Sequence, residues 1–267
     1  MRKFYRRYIP KPIREVIYSI VTMIRQMQYE NWLLGKFVEL RGNRVVVDGC
    51  IIHLDSPEID TKLKVRFLTN RYEREERHFV NEYLANTTLP VIEFGASIGV
   101  ISCITNKSLN NPEKHIVVEA NPRLLSILQK NKEANRCKFE ICHLALGYED
   151  DEITFYLHDK FVGGSVQRAT NNAVRVPSTS LQQIIETNHF NACHVICDIE
   201  GGEIELVEHE IAILQAHTHL FIVSTHDFIT GDESVQTLVK TLQDHGFVIK
   251  EQIGGDYVFA NTRTMPA

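Results

Sequence analysis

The chain has 267 residues, 43% hydrophobic and 24% charged. This composition excludes disordered and fibrous classes and allows one large domain or two small ones. No run approaches the ~20 apolar residues of a membrane-spanning helix. Formal net charge is −5, yet residues 1–30 hold seven basic residues (Arg2, Lys3, Arg6, Arg7, Lys11, Arg14, Arg25) against Glu15 and Glu30, so a cationic arm precedes an acidic body. An acidic body is a poor general binder of nucleic acid.

Along the chain, Ile13 to Leu34 reads as an amphipathic helix. Ile13, Ile17, Ile20, Ile24 and Met27 alternate at spacings of four and three, after Pro10 and Pro12. Arg14, Glu15 and Arg25 bracket a short apolar run with no small-residue cleavage site behind it, which is not the pattern of a signal peptide. Its apolar stripe suits packing on its own domain or on a second copy, or attachment to an anionic membrane surface. Arg44–His53 predicts a hairpin, because Asp48-Gly49 between β-branched runs supplies the two positive φ angles of a type I′ turn. A helix is expected over 72–84, with Phe79, Val80, Tyr83 and Leu84 inward. Residues 1–70 thus read as an N-terminal elaboration and 71–267 as the main domain.

From residue 90 short apolar runs alternate with helical patterns. Val91–Phe94 precedes a helix through Ile104. Ile116–Val118 precedes a helix started by Asn121-Pro122 and carrying Leu124, Leu125 and Leu128. Phe139–Leu146 is a third run, Val195–Ile199 a fourth leading into a helix from Glu203, and Leu220–Ser224 a fifth. Asp232 is placed to cap a helix with Val235, Leu238, Val239 and Leu242, stopped by Gly246; Phe247–Ile253 and Tyr257–Ala260 close the chain as an antiparallel hairpin. This alternation predicts βαβ units, hence an α/β sandwich around a mostly parallel sheet. Ile153–Leu157 and Val174–Val176 read as extra strands, with Gly163-Gly164-Ser165 in a loop between them. The six cysteines lie mostly in apolar runs without Cys-x-x-Cys pairing, so reduced, buried thiols in a reducing, cytoplasmic setting are expected, with a membrane-peripheral location as the variant the basic arm allows.

Two segments carry chemistry. In Val91-Ile-Glu-Phe-Gly-Ala-Ser-Ile-Gly99 a strand ends, two glycines make the turn and a helix begins, which lets backbone approach a ligand. The next strand ends in Glu119, placed to accept ribose hydroxyl hydrogens. Glu93 ahead of Gly95 would repel a pyrophosphate but suits an ammonium or sulfonium, so S-adenosylmethionine is expected rather than a dinucleotide. The second segment is Asp198-Ile-Glu-Gly-Gly-Glu203, whose clustered carboxylates at a strand end bind cations or move protons. Glu200 and Glu203 also suit the positive end of the following helix.

Together with Tyr72-Glu73, Val118-Glu-Ala-Asn-Pro122, Ala145-Leu-Gly147 and Gly163-Gly-Ser165, these segments resemble the FkbM-type family of S-adenosylmethionine-dependent methyltransferases over roughly residues 70–230. The resemblance implies a class I, Rossmann-like fold with a seven-stranded sheet, and methyl transfer to a hydroxyl of a sugar, glycan or secondary metabolite. It implies that Glu93, Gly95 and Gly99 hold the methionine part, with Ala96, Ser97 and Tyr72 around them. Glu119, with Ala120 and Asn121, would hold the ribose, and Ala145 and Leu146 would flank the adenine. Asp198 would lie where cofactor and acceptor meet. Asp198 and His226 are the candidate bases, with Glu200 or Glu203 orienting the acceptor or the base. The chain departs from the family at Glu93 (commonly Asp), Ser97 (Asn), Ile196 (Lys) and Ser224 (Glu).

No metal is expected, the alternative being a divalent ion on Asp198 and Glu200. The rival functions are a nucleic-acid methyltransferase using the basic arm and a catalytically silent cofactor-binding scaffold. Against the first, the fourth strand ends in Asp-Ile-Glu-Gly rather than the Asn/Asp-Pro-Pro-Tyr/Phe of amino-methylating enzymes.

Overall fold

The computed structural model describes Ile13, Val16 and Ser19, residues 32–157, Val166 and residues 169–264. Most of the predicted amphipathic helix and Gly163-Gly164-Ser165 therefore lie outside the described residues. Helix α1, Trp32–Leu40, runs six residues past the expected end at Leu34 and continues through Gly35, no proline interrupting the chain before Gly42.

The predicted hairpin forms from β1, Arg44–Val47, and β2, Cys50–His53, with Val47 opposite Cys50. Asp48 and Gly49 both take positive φ, 45° and 78°, as a type I′ turn requires. Helix α2, Thr61–Leu68, is capped by Asp60, whose carboxylate accepts from the Leu63 N–H at 2.7 Å. Helix α3, Arg74–Tyr83, buries Phe79 and Val80, with Leu84 buried just past its end and Tyr83 half-buried.

The following elements are β3 Val91–Phe94, α4 Val100–Ser108, β4 His115–Val118, α5 Leu125–Ala134, β5 Glu140–Cys142, β6 Ala145–Leu146, β7 Glu152–Tyr156 and β8 Ala173–Thr179. The chain continues through α6 Leu181–Asn188, β9 Cys193–Cys197, α7 Glu203–His217, β10 Thr218–Ser224, α8 Asp227–Thr230, α9 Asp232–Asp244, β11 Phe247–Ile253 and β12 Asp256–Asn261. Seven strands form one sheet in the order β11-β12-β10-β9-β3-β4-β5. β10, β9, β3, β4 and β5 pair in parallel, while β12 is antiparallel to both β10 and β11. This is the Rossmann-like class I methyltransferase fold that the resemblance implies.

Strand side chains alternate between two cores. Val91, Val117, Ile196 and Ile222 pack with Phe79, Val80, Ile104 and Leu128, from α3, α4 and α5. Ile92, Val118, Val195 and Phe221 pack with Leu181, Leu206, Leu214 and Leu238, from α6, α7 and α9. Burial on both faces is why these strands read as unbroken apolar runs rather than as alternation. All six cysteines are free, and Cys137 and Cys142 are only half-buried.

Three local expectations are corrected. The Phe139–Leu146 run splits: β5 joins the main sheet, while β6 pairs with β8 in a three-stranded sheet with β7. The chain turns between them, with the Leu144 N–H bonded to the Cys142 carbonyl. Asn121 does not start α5 directly. Its side-chain oxygen accepts from the Arg123 N–H at 3.1 Å, an Asx turn that competes with helix and delays it to Leu125. Finally, Gly231 and not Asp232 occupies the cap of α9, and Asp232 falls in the first turn.

The hairpin docks on the main domain through two asparagines of the α5 region. The Asn131 side-chain oxygen accepts from the His53 N–H at 2.7 Å, and its amide donates to the Ile98 carbonyl at 2.9 Å. Asn135 accepts from the Ile51 N–H at 2.8 Å and donates to the Ile51 carbonyl at 2.7 Å. These amides satisfy the outer edge of β2 as a neighbouring strand would. Asn131 is fully buried, so Asn131→Ala leaves several buried polar groups unpaired. The variant is expected to lose about 2–4 kcal/mol of stability in chemical denaturation; a loss within experimental error would show that the amide bridge is energetically idle.

Candidate active site

A cleft opens at the carboxyl ends of the central strands, where ligands bind in open α/β sheets. β3 lies between β9 and β4, so Asp198, after β9, and Glu119, after β4, flank the loop that follows β3. Gly95 and Ser97 of that loop line the cleft, as do Ala120, Asn121, Ala145 and Leu146. Leu144, Phe155 and Val166 add an apolar wall, and Tyr72, Glu73, Asp198 and Glu200 a polar one.

Glu119 is held by backbone. Its two oxygens accept from the Ser97 N–H at 2.6 Å and the Asn121 N–H at 2.7 Å. Burial raises its pKa to about 7 against the lowering effect of those two donors. Three non-glycine residues of the wall, Glu73, Ser97 and Glu200, have positive φ of 44°, 53° and 53°. Left-handed backbone costs roughly 1–2 kcal/mol at such residues, and its concentration at this cleft marks a site whose shape the rest of the fold enforces.

Beside the cleft lies a charged cluster that no single segment reveals. His226 places Nε2 3.3 Å from Asp198 Oδ1 and Nδ1 2.9 Å from Glu203 Oε1. Glu203 is fully buried and also accepts from the Gly201 and His226 N–H groups at 2.8 and 3.1 Å. Burial disfavours the imidazolium, but the hydrogen bonds to Asp198 and Glu203 outweigh it and lift His226 to about 10. His226 therefore carries its proton at neutral pH and cannot act as a general base there.

Glu73 and Glu76 face the same region. One oxygen from each of Glu73, Glu76 and Asp198 lies within 4.8 Å of the others. Burial, with the nearby Asp198 charge, lifts Glu73 to about 8 and Glu76 well above its usual range. The cluster thus stores protons when no cation is near. Ser224 donates to Glu76 Oε1 at 2.9 Å. At the position where the family often carries glutamate, α3 supplies a carboxylate instead.

Several expected site residues stand elsewhere. Glu93 does not line the cleft: it is buried between the Ser102 hydroxyl, 2.6 Å away, and His115 Nε2, 3.1 Å away. A side chain in the middle of a two-faced sheet has to choose a face, and this one chose the core of α4. Ala96 is buried beneath the loop, and Gly99 packs against Leu128 rather than facing the cleft. Glu203 and His226 stand behind the cleft wall and do not form it. Glu76 was missed because an acid in a helix's first turn has an ordinary explanation in the helix dipole. Leu144 and Phe155 were missed because nothing in their local sequence distinguishes a cleft wall from core.

The His226 linkage has a sign. Its folded pKa, about 10, lies above the unfolded value, so its stabilising contribution is complete below ~6.5 and is lost as pH rises through ~10. Glu119 and Glu73, raised to about 7 and about 8, also bind more protons folded and act in the same direction at lower pH. Folding stability should therefore fall steadily from pH ~5 to ~10, the last part belonging to His226 and amounting to roughly a few kcal/mol. Urea denaturation at about pH 8.5 and 10.5, compared between the native chain and His226→Asn, checks it: equal slopes would refute the clamp.

A family model described as the methyltransferase FkbM domain matches residues 93–249. No curated protein matches the chain. Similar solved structures include an O-methyltransferase from Bacillus cereus in complex with SAH, at 11% identity over 70% of this chain and 79% of that one, TM-score 0.44. A precorrin-6y C5,15-methyltransferase from Geobacter metallireducens shares 11% identity over 70% and 86%, TM-score 0.43. M. jannaschii TYW2 in complex with AdoMet shares 14% over 82% and 87%, TM-score 0.41.

Proposed function

As the chain belongs to the FkbM family of S-adenosylmethionine-dependent methyltransferases, we propose that it methylates a hydroxyl oxygen of a sugar, glycan or related small metabolite. The observation that carries this reading is Asp198: a carboxylate on the cleft wall, beside the loop after β3, held by a histidine that is already protonated.

The residues present suit the cofactor. The loop from Gly95 to Ser97 offers backbone close to the cleft, the Glu119 carboxylate faces it, and Leu144, Ala145, Leu146 and Phe155 form an apolar slot fitting a purine. When bound, S-adenosylmethionine supplies a methyl group activated by positive sulfur. Asp198 accepts the proton of the acceptor hydroxyl. The His226 imidazolium holds that carboxylate in place and offsets its charge, and Glu203 keeps the imidazole charged and oriented. Leu144 and Phe155 exclude water from the adenine side. Alignment of acceptor and donor by such a wall supplies up to ~7–11 kcal/mol in favourable cases.

The raised carboxylates predict a proton linkage. A ligand with ammonium and sulfonium charges favours ionised Glu73 and Glu119, so binding should release protons and tighten as pH rises through about 7 to 8. Calorimetry in buffers of different ionisation enthalpy reads the released protons directly; no buffer dependence between pH 6 and 8 would refute it.

Transfer of labelled methyl from S-adenosylmethionine to glycan, sugar and metabolite fractions, with the product mapped to an oxygen, tests the acceptor class. Labelling confined to a nucleic-acid fraction would overturn it.

A further inference from the structure

We propose that the face formed by α1, β1 and the end of α2 docks on an anionic phospholipid bilayer. On α1, Leu33, Phe37 and Leu40 fall at i, i+4 and i+7 and are 69%, 44% and 87% exposed, while Val38 of the same helix is buried. The helix therefore gives one side to the core and an apolar ridge to the outside. The ridge continues into a groove lined by Phe37, Val46, Phe67 and Leu68, with Arg41 and Arg44 among its walls. Val46 is 71% exposed. Contiguous apolar surface rimmed by polar groups marks an interaction site rather than ordinary surface.

Charge selects the occupant. Arg41 and Arg44 are exposed at the groove, and the sequence that leads into α1, residues 1–31, holds seven basic and two acidic residues in a chain whose net charge is −5. The Arg41 guanidinium lies 4.7 Å from the Phe37 ring centroid. An apolar body with a cationic rim fits the boundary between acyl chains and acidic headgroups, where arginine stems lie along apolar surface and their heads reach phosphate. The face also adjoins the cleft, since Phe67 stacks at 4.1 Å on Tyr72, which lines it. The docking does not depend on the acceptor of methyl transfer, and its test reads no activity.

The full chain is sedimented with vesicles of phosphatidylcholine alone and with vesicles in which about one lipid in three is phosphatidylglycerol. Binding is expected to the acidic vesicles only, and to weaken strongly toward ~1 M salt, where the Debye length is ~3 Å. Leu40→Glu/Val46→Glu and, separately, Arg41→Glu/Arg44→Glu should each lower the bound fraction at least about tenfold with an unchanged melting temperature, since all four side chains are exposed. The proposal is overturned if the native chain ignores acidic vesicles, binds neutral ones equally, or is matched by both variants. It is equally overturned if light scattering shows a dimer that Leu40→Glu/Val46→Glu converts to monomer, for the face then belongs to a second copy.

Discussion

Replacing Asp198 with asparagine should cut the turnover number by about 10²–10⁴-fold while leaving S-adenosylmethionine affinity within a few-fold. The side chain keeps its size and can still occupy the place 3.3 Å from His226 Nε2, but an amide cannot take the hydroxyl proton. The separation of the two effects is what discriminates. If Asp198 only braced the loop after β9, the variant would lose cofactor affinity and melting temperature together. Single-turnover transfer of labelled methyl and calorimetric titration of the cofactor measure the two quantities on one preparation. Unchanged turnover would remove Asp198 from the chemistry.

Gly95→Ala should do more damage than its single added carbon suggests. The residue has φ of +90°, and a Cβ built on it would stand 1.8 Å from the Asp198 carbonyl oxygen and 2.7 Å from its carbon. Neither neighbour can easily yield. The Asp198 N–H is bonded to the Phe94 carbonyl at 2.9 Å, and the Gly95 N–H to that of Val118 at 3.0 Å, so the loop is tied to β9 and β4 at once. Relief requires the strand ends to part at the cleft. The strain and overpacking together should cost on the order of 2–5 kcal/mol and lower cofactor affinity at least about a hundredfold. Gly99→Ala is the comparison: its Cβ meets the Leu128 methyl at 2.4 Å, the end of a side chain that can rotate, and it lies away from the cleft wall. Melting curves and cofactor titrations should rank the two variants in that order. Equal losses would mean that left-handed backbone alone, and not the crossing with Asp198, makes glycine necessary at Gly95.

Both variants probe residues the sequence pointed to, and the way it did so explains what else was legible. The glycine turn was readable because backbone demands leave a residue type behind: only glycine tolerates Gly95's geometry, and Asp48-Gly49 is the same kind of mark in the hairpin. Strand runs were readable because burial on two faces favours apolar residues, Glu93 of β3 being a buried exception. The split of Phe139–Leu146 was not readable, since β5 and β6 have the same apolar character and differ only in which sheet receives them. Glu93 was misplaced for a related reason. A strand-end carboxylate looks alike whether it faces a ligand or His115 and Ser102 beneath.

Local sequence determined the elements, their α/β alternation, the glycine turn after β3 and the acids after β4 and β9, because each follows from backbone geometry or burial within a few residues. Tertiary structure alone decided the histidine's charge state. His226 meets Asp198 and Glu203 only because β10 lies beside β9, and α3 brings Glu76 to Ser224 across 148 residues. A proton's residence depends on the distances among charges from separate strands and on the water excluded around them, and neither quantity is written in any one stretch of chain.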